Sequence, residues 1–530
     1  MNTQPYWKST EELPRFESLS NDVEVDVAII GGGLTGITTA HLLKEAGAKV
    51  ALLERDRLAA ADTGHTTAHL TYVTDERLHH LVKVFGKEAA KAFWEAGVQG
   101  IDRIFEITRD KKIDCDFNWV PGYLHASLKD DDKKDRQTLM QDAELAQELG
   151  FDAQFEESVP YASRPGIRFA NQAKFHPLKY LGPLVQTIPG NGCFVFENTE
   201  VTRVEPDSLT LHTGQFRVRC RYLVIATHTP LMGKSSLVSA TLFQSKLALY
   251  TSYVLGAAIP KGTIPKALYW DTSDPYYYLR VDPRPDHDYV IFGGEDVKTG
   301  QEEDAQRVFA RLEQRLVAVL PQAQVRDRWL GQVVETNDGL PFIGESAGKQ
   351  FVATGFCGNG FTLGTLSAVM ARDRYLGRKN PWFDLFAVDR KKFHGGTWRY
   401  IKENLDYPYY MVRDRLAGAE TDSLEELLLG EGKLVNLEGK KFAAYRDEDG
   451  KVTLCSPVCT HMKCIVHWNN ADKTWDCPCH GSRFKATGEV FSGPAEAPLE
   501  KLSWPEPKQE KTSKPAQKSA RPTPSAGAHK

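Results

Sequence analysis

The segment DVAIIGGGLTGITTAHLLKEAGAKVALLE, residues 26–54, decides the fold of most of this chain. Asp26 to Ile30 is a short β-branched run and predicts a strand. Gly31, Gly33 and Gly36 follow at once, in the spacing G-x-G-x-x-G. The apolar positions of ITTAHLLKEAG predict an amphipathic helix that stops at Gly47, and KVALLE predicts a second strand. A strand, a glycine turn, a helix and a strand within about 30 residues make a dinucleotide-binding unit. Gly31 permits the tight turn, Gly33 lets backbone approach a pyrophosphate, and Gly36 lets helix and strand pack closely. The helix N-terminus offers free N–H groups to the phosphates. Glu54, ending the second strand, is placed to accept hydrogen bonds from an adenosine ribose, and its charge disfavours a 2′-phosphate.

This unit sits in a chain of 530 residues, which at roughly 100–200 residues per domain implies about three domains. Hydrophobic residues are 41% and charged residues 26%, the balance of an ordinary globular protein. Net charge is 66 − 70 = −4, so no basic surplus argues for nucleic acid. No apolar run is long enough for a transmembrane helix. MNTQPYWKSTEELPRFE has neither the basic nor the apolar region of a signal peptide. A cytoplasmic location is expected, with peripheral contact to a membrane left open.

The fold class expected is an α/β, Rossmann-like dinucleotide-binding domain interleaved with an α+β substrate domain, plus a small all-β domain. Residues 1–23 read as an N-terminal extension. Cofactor-type motifs recur near 224–228 and 338–364, so the binding domain should comprise about 24–75, 165–234 and 335–375. The substrate domain would take about 76–164 and 235–334. Residues 376–420 are irregular and aromatic, and read as a packed, partly helical connector because aromatics favour burial. Short strands with turn signals such as DEDG and NNAD predict the all-β domain over 421–504. The tail 505–530 holds six Lys/Arg against two Glu, lacks apolar residues to bury, and is expected to be disordered.

The loop ADTGHTTAHLT (61–71), LVIATH (223–228), DGLPFIGE (338–345) and VATGFCGNGFTLG (352–364) follow the glycine unit in order. With these motifs, residues 24–375 resemble the D-amino-acid oxidase/glycine oxidase superfamily. The resemblance implies FAD, with the isoalloxazine between the two domains. It places Thr66 and Thr67 of the 61–71 loop on the cofactor. Gly355, Gly358, Gly360 and Thr362 would open a helix whose dipole stabilises the reduced, anionic flavin. Val201, expected in a strand NTEVTRVE, matches the position whose backbone meets adenine. In the dimethylglycine dehydrogenase-like branch a histidine of this loop carries covalent flavin, and His65 falls near that place. The alternative, a hydrogen-bonding histidine beside non-covalent flavin, is the reading adopted. In such flavoenzymes an arginine and tyrosines hold the substrate carboxylate. DPYYYLRVDP offers Tyr276, Tyr278 and Arg280 on one face of a strand, or else an arginine in an internal ion pair.

Nine cysteines divide unevenly. Cys115, Cys193, Cys220 and Cys357 are scattered and read as reduced, buried residues. Cys455, Cys459, Cys464, Cys477 and Cys479 crowd together, which points to metal or redox chemistry. CTHMKC spans Cys459 to Cys464, and CPCHGS spans Cys477 to Ser482. Two cysteines and two histidines would complete a [2Fe–2S] cluster, while Cys₂His₂ zinc is the alternative. Both boxes closely resemble a Rieske domain over 421–504. Carried over residue by residue, Cys459 and Cys477 bind one iron, and His461 and His480 the other. Cys464 and Cys479 match the pair that forms a disulfide between the cluster loops in quinol-oxidising complexes. Ser482 matches the serine that donates to a bridging sulfide. Phe484 stands where high-potential relatives have tyrosine, which implies a lower potential. ATGEVFSGPAEAPL, 486–499, matches the loop that shields the cluster.

Together these readings imply an FAD-dependent oxidoreductase of the amine or amino-acid dehydrogenase type. Electrons would pass one at a time from reduced flavin to the cluster, then to an external acceptor such as a quinone, ferredoxin or cytochrome. A single glycine unit argues against a second, NADH-binding site. The alternative is an electron-transfer or redox-sensing flavo-iron–sulfur protein without a small amine substrate.

Overall fold

The computed structural model describes residues 3–129, 133–230, 245–390 and 403–504. Strands Val27–Ile30 and Val50–Leu53 pair in parallel, and all four residues of each are buried. That is the pattern of a parallel sheet covered on both faces. Helix Leu34–Glu45 joins them. Gly47 follows with φ +88°, a left-handed conformation that would cost another residue roughly 1–2 kcal/mol. Tyr222–Ile225, Gln350–Thr354 and Phe194–Phe196 extend the sheet in parallel, and Phe342–Ala347 closes one edge antiparallel. Three separate stretches of chain thus build one six-stranded sheet. Helix Gly360–Tyr375 packs beside Leu34–Glu45 and is buried over most of its length.

The second body is a nine-stranded, mostly antiparallel sheet. Its long strands are Leu247–Ile259, Asp288–Lys298 and Gln324–Thr336. Gly166–Lys174 pairs with Asn118–His125 in this sheet, so the expected return to the cofactor domain at 165 comes later, after that strand. A strand's own pattern does not say which sheet it joins. Residues 1–23 are also more than an appendage. Helix Tyr6–Thr10 buries Trp7, whose Nε1 donates to Thr66 O at 2.6 Å.

The C-terminal domain holds two four-stranded sheets. Glu431–Leu437, Lys440–Arg446, Val452–Cys455 and Lys501–Leu502 form one. His467–Asn469, Thr474–Asp476, Arg483–Lys485 and Val490–Ser492 form the other. Trp475, Phe484, Cys459 and Cys477 share a core there. Helix Asp406–Leu416 of the connector packs Tyr407 and Met411 against that core. The connector's GGTWRY and the tail 505–530 lie outside the described residues.

Candidate functional site

A cavity of about 380 Å³ opens at the carboxyl ends of the parallel strands, where α/β sheets bind ligands. Gly31, Gly33, Glu54, His65, Thr66, Thr67, Val201, Gly355, Gly358 and Gly360 all line it. At Gly31 (φ +109°) a Cβ would stand 2.3 Å from Ala226 O, and at Gly36 one would stand 1.9 Å from Gly31 O. No side chain fits either place. At Gly33, the N-cap, a Cβ would meet only the Thr63 hydroxyl, at 2.8 Å. Gly33 also lines the cavity, and the missing side chain leaves the room that close approach of a pyrophosphate would need. Glu54 accepts from Gly32 N (2.6 Å) and Asp56 N (2.9 Å). Its oxygens keep further lone pairs for a ribose, and burial raises its pKa.

Two expectations for this region change. Val201 precedes strand Arg203–Glu205 rather than lying within it, so its backbone is not held by a sheet ladder. Thr362 does not line the cavity; its hydroxyl donates to Thr71 O at 3.0 Å and anchors the helix instead. Gly36 likewise serves packing alone. His65 Nδ1 lies 2.8 Å from Ala61 O. A carbonyl only accepts, so Nδ1 carries the proton and Nε2 keeps a lone pair.

At the other end stand Tyr276, Tyr278, Trp270, Asp75, Ser252 and Asp296. Tyr276 Oη donates to Asp75 (3.2 Å), and Ser252 Oγ donates to Asp296 (2.6 Å) while lying 2.8 Å from Tyr278 Oη. Burial lifts Asp296 to about 7 and Asp75 well above the carboxylate range. Spacing alone did not reveal these two acids, which come from distant segments. Arg280 is the clear correction. It does not line the cavity and is 1% exposed. It donates to Thr67 O, Ala68 O, Phe175 O and Asp282 Oδ1. It ends on the backbone of the loop that lines the cavity, so the internal ion pair is the reading that holds. Tyr276 precedes the strand, which runs from Tyr278 to Pro283.

In the C-terminal domain the two boxes meet. Cys464 and Cys479 form a disulfide. Cys459 and Cys477 are buried and share a thiol hydrogen bond, which lowers Cys459 and raises Cys477. The His461 and His480 rings lie 5.1 Å apart at 89°. Burial pushes His461 to about 4 and His480 to about 3, so both are neutral, as ligation requires. His480 Nδ1 is buried without a hydrogen-bond partner among the described residues. Two thiols and two neutral imidazoles fit a [2Fe–2S] cluster. A sulfur trio of Cys464, Cys477 and Cys479 also clusters, but the disulfide occupies two of its members. Ser482 is fully buried, accepts from Ala495 N (3.0 Å) and bonds toward Cys459.

The two sites adjoin. Phe491 to Glu496, within the expected shielding loop, line the cavity beside the glycine turns. Arg55, next to Glu54, donates to Phe491 O (2.7 Å), and Lys485 pairs with Asp56 (2.6 Å). A Cβ on Gly493 would stand 2.1 Å from the Thr229 hydroxyl. No local pattern in the sequence signals this junction.

Residues 26–374 match the family described as FAD dependent oxidoreductase, and residues 420–503 match the Rieske [2Fe-2S] domain. A Rieske 2Fe-2S iron-sulfur protein of Bacillus subtilis, YhfW, is 32% identical over 94% of this chain and 97% of its own length. Gamma-glutamylputrescine oxidoreductase of Escherichia coli is 25% identical over 78% of this chain and 98% of its own. Glycine oxidase from Geobacillus kaustophilus superposes with a TM-score of 0.57 at 17% identity, over 69% of this chain and 99% of that one. Among the described residues no helix is long and apolar enough to cross a membrane.

Proposed function

The chain belongs to the FAD-dependent oxidoreductase family and carries a Rieske [2Fe–2S] domain, and on that premise we propose that it is a dehydrogenase for an amine or amino acid, with electrons leaving through the cluster to an external one-electron acceptor. FAD supplies the acceptor for hydride from a substrate C–H bond, and the cluster supplies one-electron steps. The observation that carries this reading is the shared wall: Phe491 to Glu496 of the cluster domain line the same cavity as Gly31, Gly33, Gly355 and Gly358. An oxidase, handing electrons to O₂, needs no such neighbour.

The chain's own residues hold and prepare the substrate. Tyr276, Tyr278 and Trp270 line the cavity with aromatic rings, a residue type that suits a cationic nitrogen. Asp296, with its pKa near 7, takes the proton that an ammonium must lose before its C–H bond can break. The substrate C–H breaks, a C=N bond forms, and the remaining N–H proton leaves to solvent. Two electrons follow, as two one-electron equivalents, to an acceptor of the quinone, ferredoxin or cytochrome class.

The test is an EPR spectrum of anaerobic holoprotein before and after mixed D-amino acids and N-methylated glycines. A Rieske-type signal that grows as the flavin bleaches supports the reading. A signal raised by dithionite but by none of these amines refutes the substrate class.

A further inference from the structure

One buried glutamine of the nine-stranded sheet fastens two segments of the cluster domain to the oxidoreductase part of the chain. Gln332 lies in strand Gln324–Thr336 and is 5% exposed. Its Nε2 donates to Gly481 O at 2.9 Å and to Thr299 Oγ1 at 3.1 Å, and its Oε1 accepts from Ser492 Oγ at 2.8 Å. Gly481 shares a peptide bond with His480, and Ser492 lies in the shielding loop. Gln332 also lines the flavin cavity. Its neighbour Gly331 lies against His65, where a Cβ would stand 3.3 Å from His65 O. The backbones close tightly around this point. A Cβ on Gly481 (φ +69°) would stand 2.6 Å from Leu249 Cβ, and one on Gly300 (φ +83°) 2.6 Å from the Cys477 carbonyl carbon.

We propose that Gln332 is the positioning residue that holds the His480 loop at its working distance from the flavin. The inference rests on the electron flow proposed above and deepens it. Both ends of one amide are used, the donor on the cluster loop and the acceptor on the shielding loop, so the two loops cannot shift independently. Electron tunnelling falls exponentially with separation, which makes a small drift in this docking costly. In each transfer one electron leaves the reduced flavin and enters the oxidised cluster. An external one-electron acceptor then empties the cluster, and the proton released from the flavin goes to solvent.

Gln332→Leu leaves Gly481 O and Ser492 Oγ without this partner. Losing two net hydrogen bonds at about 0.7 kcal/mol each, about 1.4 kcal/mol together, should weaken docking roughly tenfold. The flavin of anaerobic holoprotein is reduced by light and EDTA, and the rise of the cluster EPR signal is followed by freeze-quench. Gln332→Leu should slow that rise roughly tenfold, with the line shape of the cluster signal unchanged. Trypsin should also cut the connector faster. Ser492→Ala, which removes one bond, keeps the test open if the first variant folds poorly, and should slow the rise less. If the wild-type cluster is reduced and Ser492→Ala and Gln332→Leu are equally fast, this inference is overturned alone. If the wild-type cluster stays oxidised while the flavin is reduced, the electron-flow reading falls and this inference with it.

Discussion

Replacing Arg280 by Met decides between a substrate clamp and an internal brace. Methionine keeps much of the volume and removes every donor. Arg280 serves Thr67 O at 3.1 Å, Ala68 O at 2.7 Å, Phe175 O at 3.1 Å and Asp282 Oδ1 at 2.8 Å. Three carbonyls at about 1 kcal/mol each and one charged bond at about 2 give roughly 5 kcal/mol of lost stability. At about 2 °C per kcal/mol for a domain of this size, Tm should fall by about 10 °C. The acid limb should change as well. Burial would raise Asp282, but Arg280 and then Lys174 outweigh it and hold the group at about 2, below its ordinary 3.8. Because the folded pKa is depressed, this stability is present above pH 3.8 and is lost as pH falls toward 2. Its size is about 2 kcal/mol, and in Arg280→Met the loss should shrink. The assay is thermal unfolding of holoprotein at neutral pH and near pH 3, with flavin content measured alongside. An unchanged Tm with a greatly raised KM for an amino acid would refute the brace and restore the clamp.

Three further outcomes are expected. Cys477→Ala should abolish the Rieske EPR signal while flavin stays bound; an intact signal removes Cys477 from the ligand set. Gly33→Val should expel FAD by filling the approach to the pyrophosphate, leaving the cluster spectrum in place, and normal flavin content would sink that role. The double variant Cys464→Ser/Cys479→Ser reopens a loop of sequence separation 15. The chain-entropy account assigns that loop about 3 kcal/mol, read as a lower urea midpoint for loss of cluster absorbance; an unchanged midpoint contradicts it.

The glycine unit and the two cysteine–histidine boxes were legible because short-range spacing encodes them. Turn geometry at Gly31 and helix contact at Gly36 leave no choice of residue, and ligands for one cluster must sit on two tight loops. Arg280 was not legible. Alternation correctly put it on the side of Tyr278, but a strand pattern is silent about the loop that crosses that side, and Thr67 and Ala68 of that loop take its donors. Gly166–Lys174 reads as a strand in either sheet, since Asn118–His125, which ties it to the nine-stranded sheet, comes from a separate stretch of sequence. Asp75, Ser252 and Asp296 acquire meaning only when three distant segments meet. The contact of Gln332 with Gly481 joins positions about 150 residues apart, beyond the reach of any local pattern.

The walls of the flavin cavity are made at very different times. Trp7, which lies behind the 61–71 loop and does not itself line the cavity, is made long before Arg280, whose guanidinium lies 5.0 Å from its ring. The stretch from Phe491 to Glu496 is synthesised last of all the walls. Since domains fold in order from the N-terminus during synthesis, the cofactor meets a pocket still open on one side. It is enclosed only when the cluster-bearing domain docks, so that domain acts as the door behind which the flavin is kept.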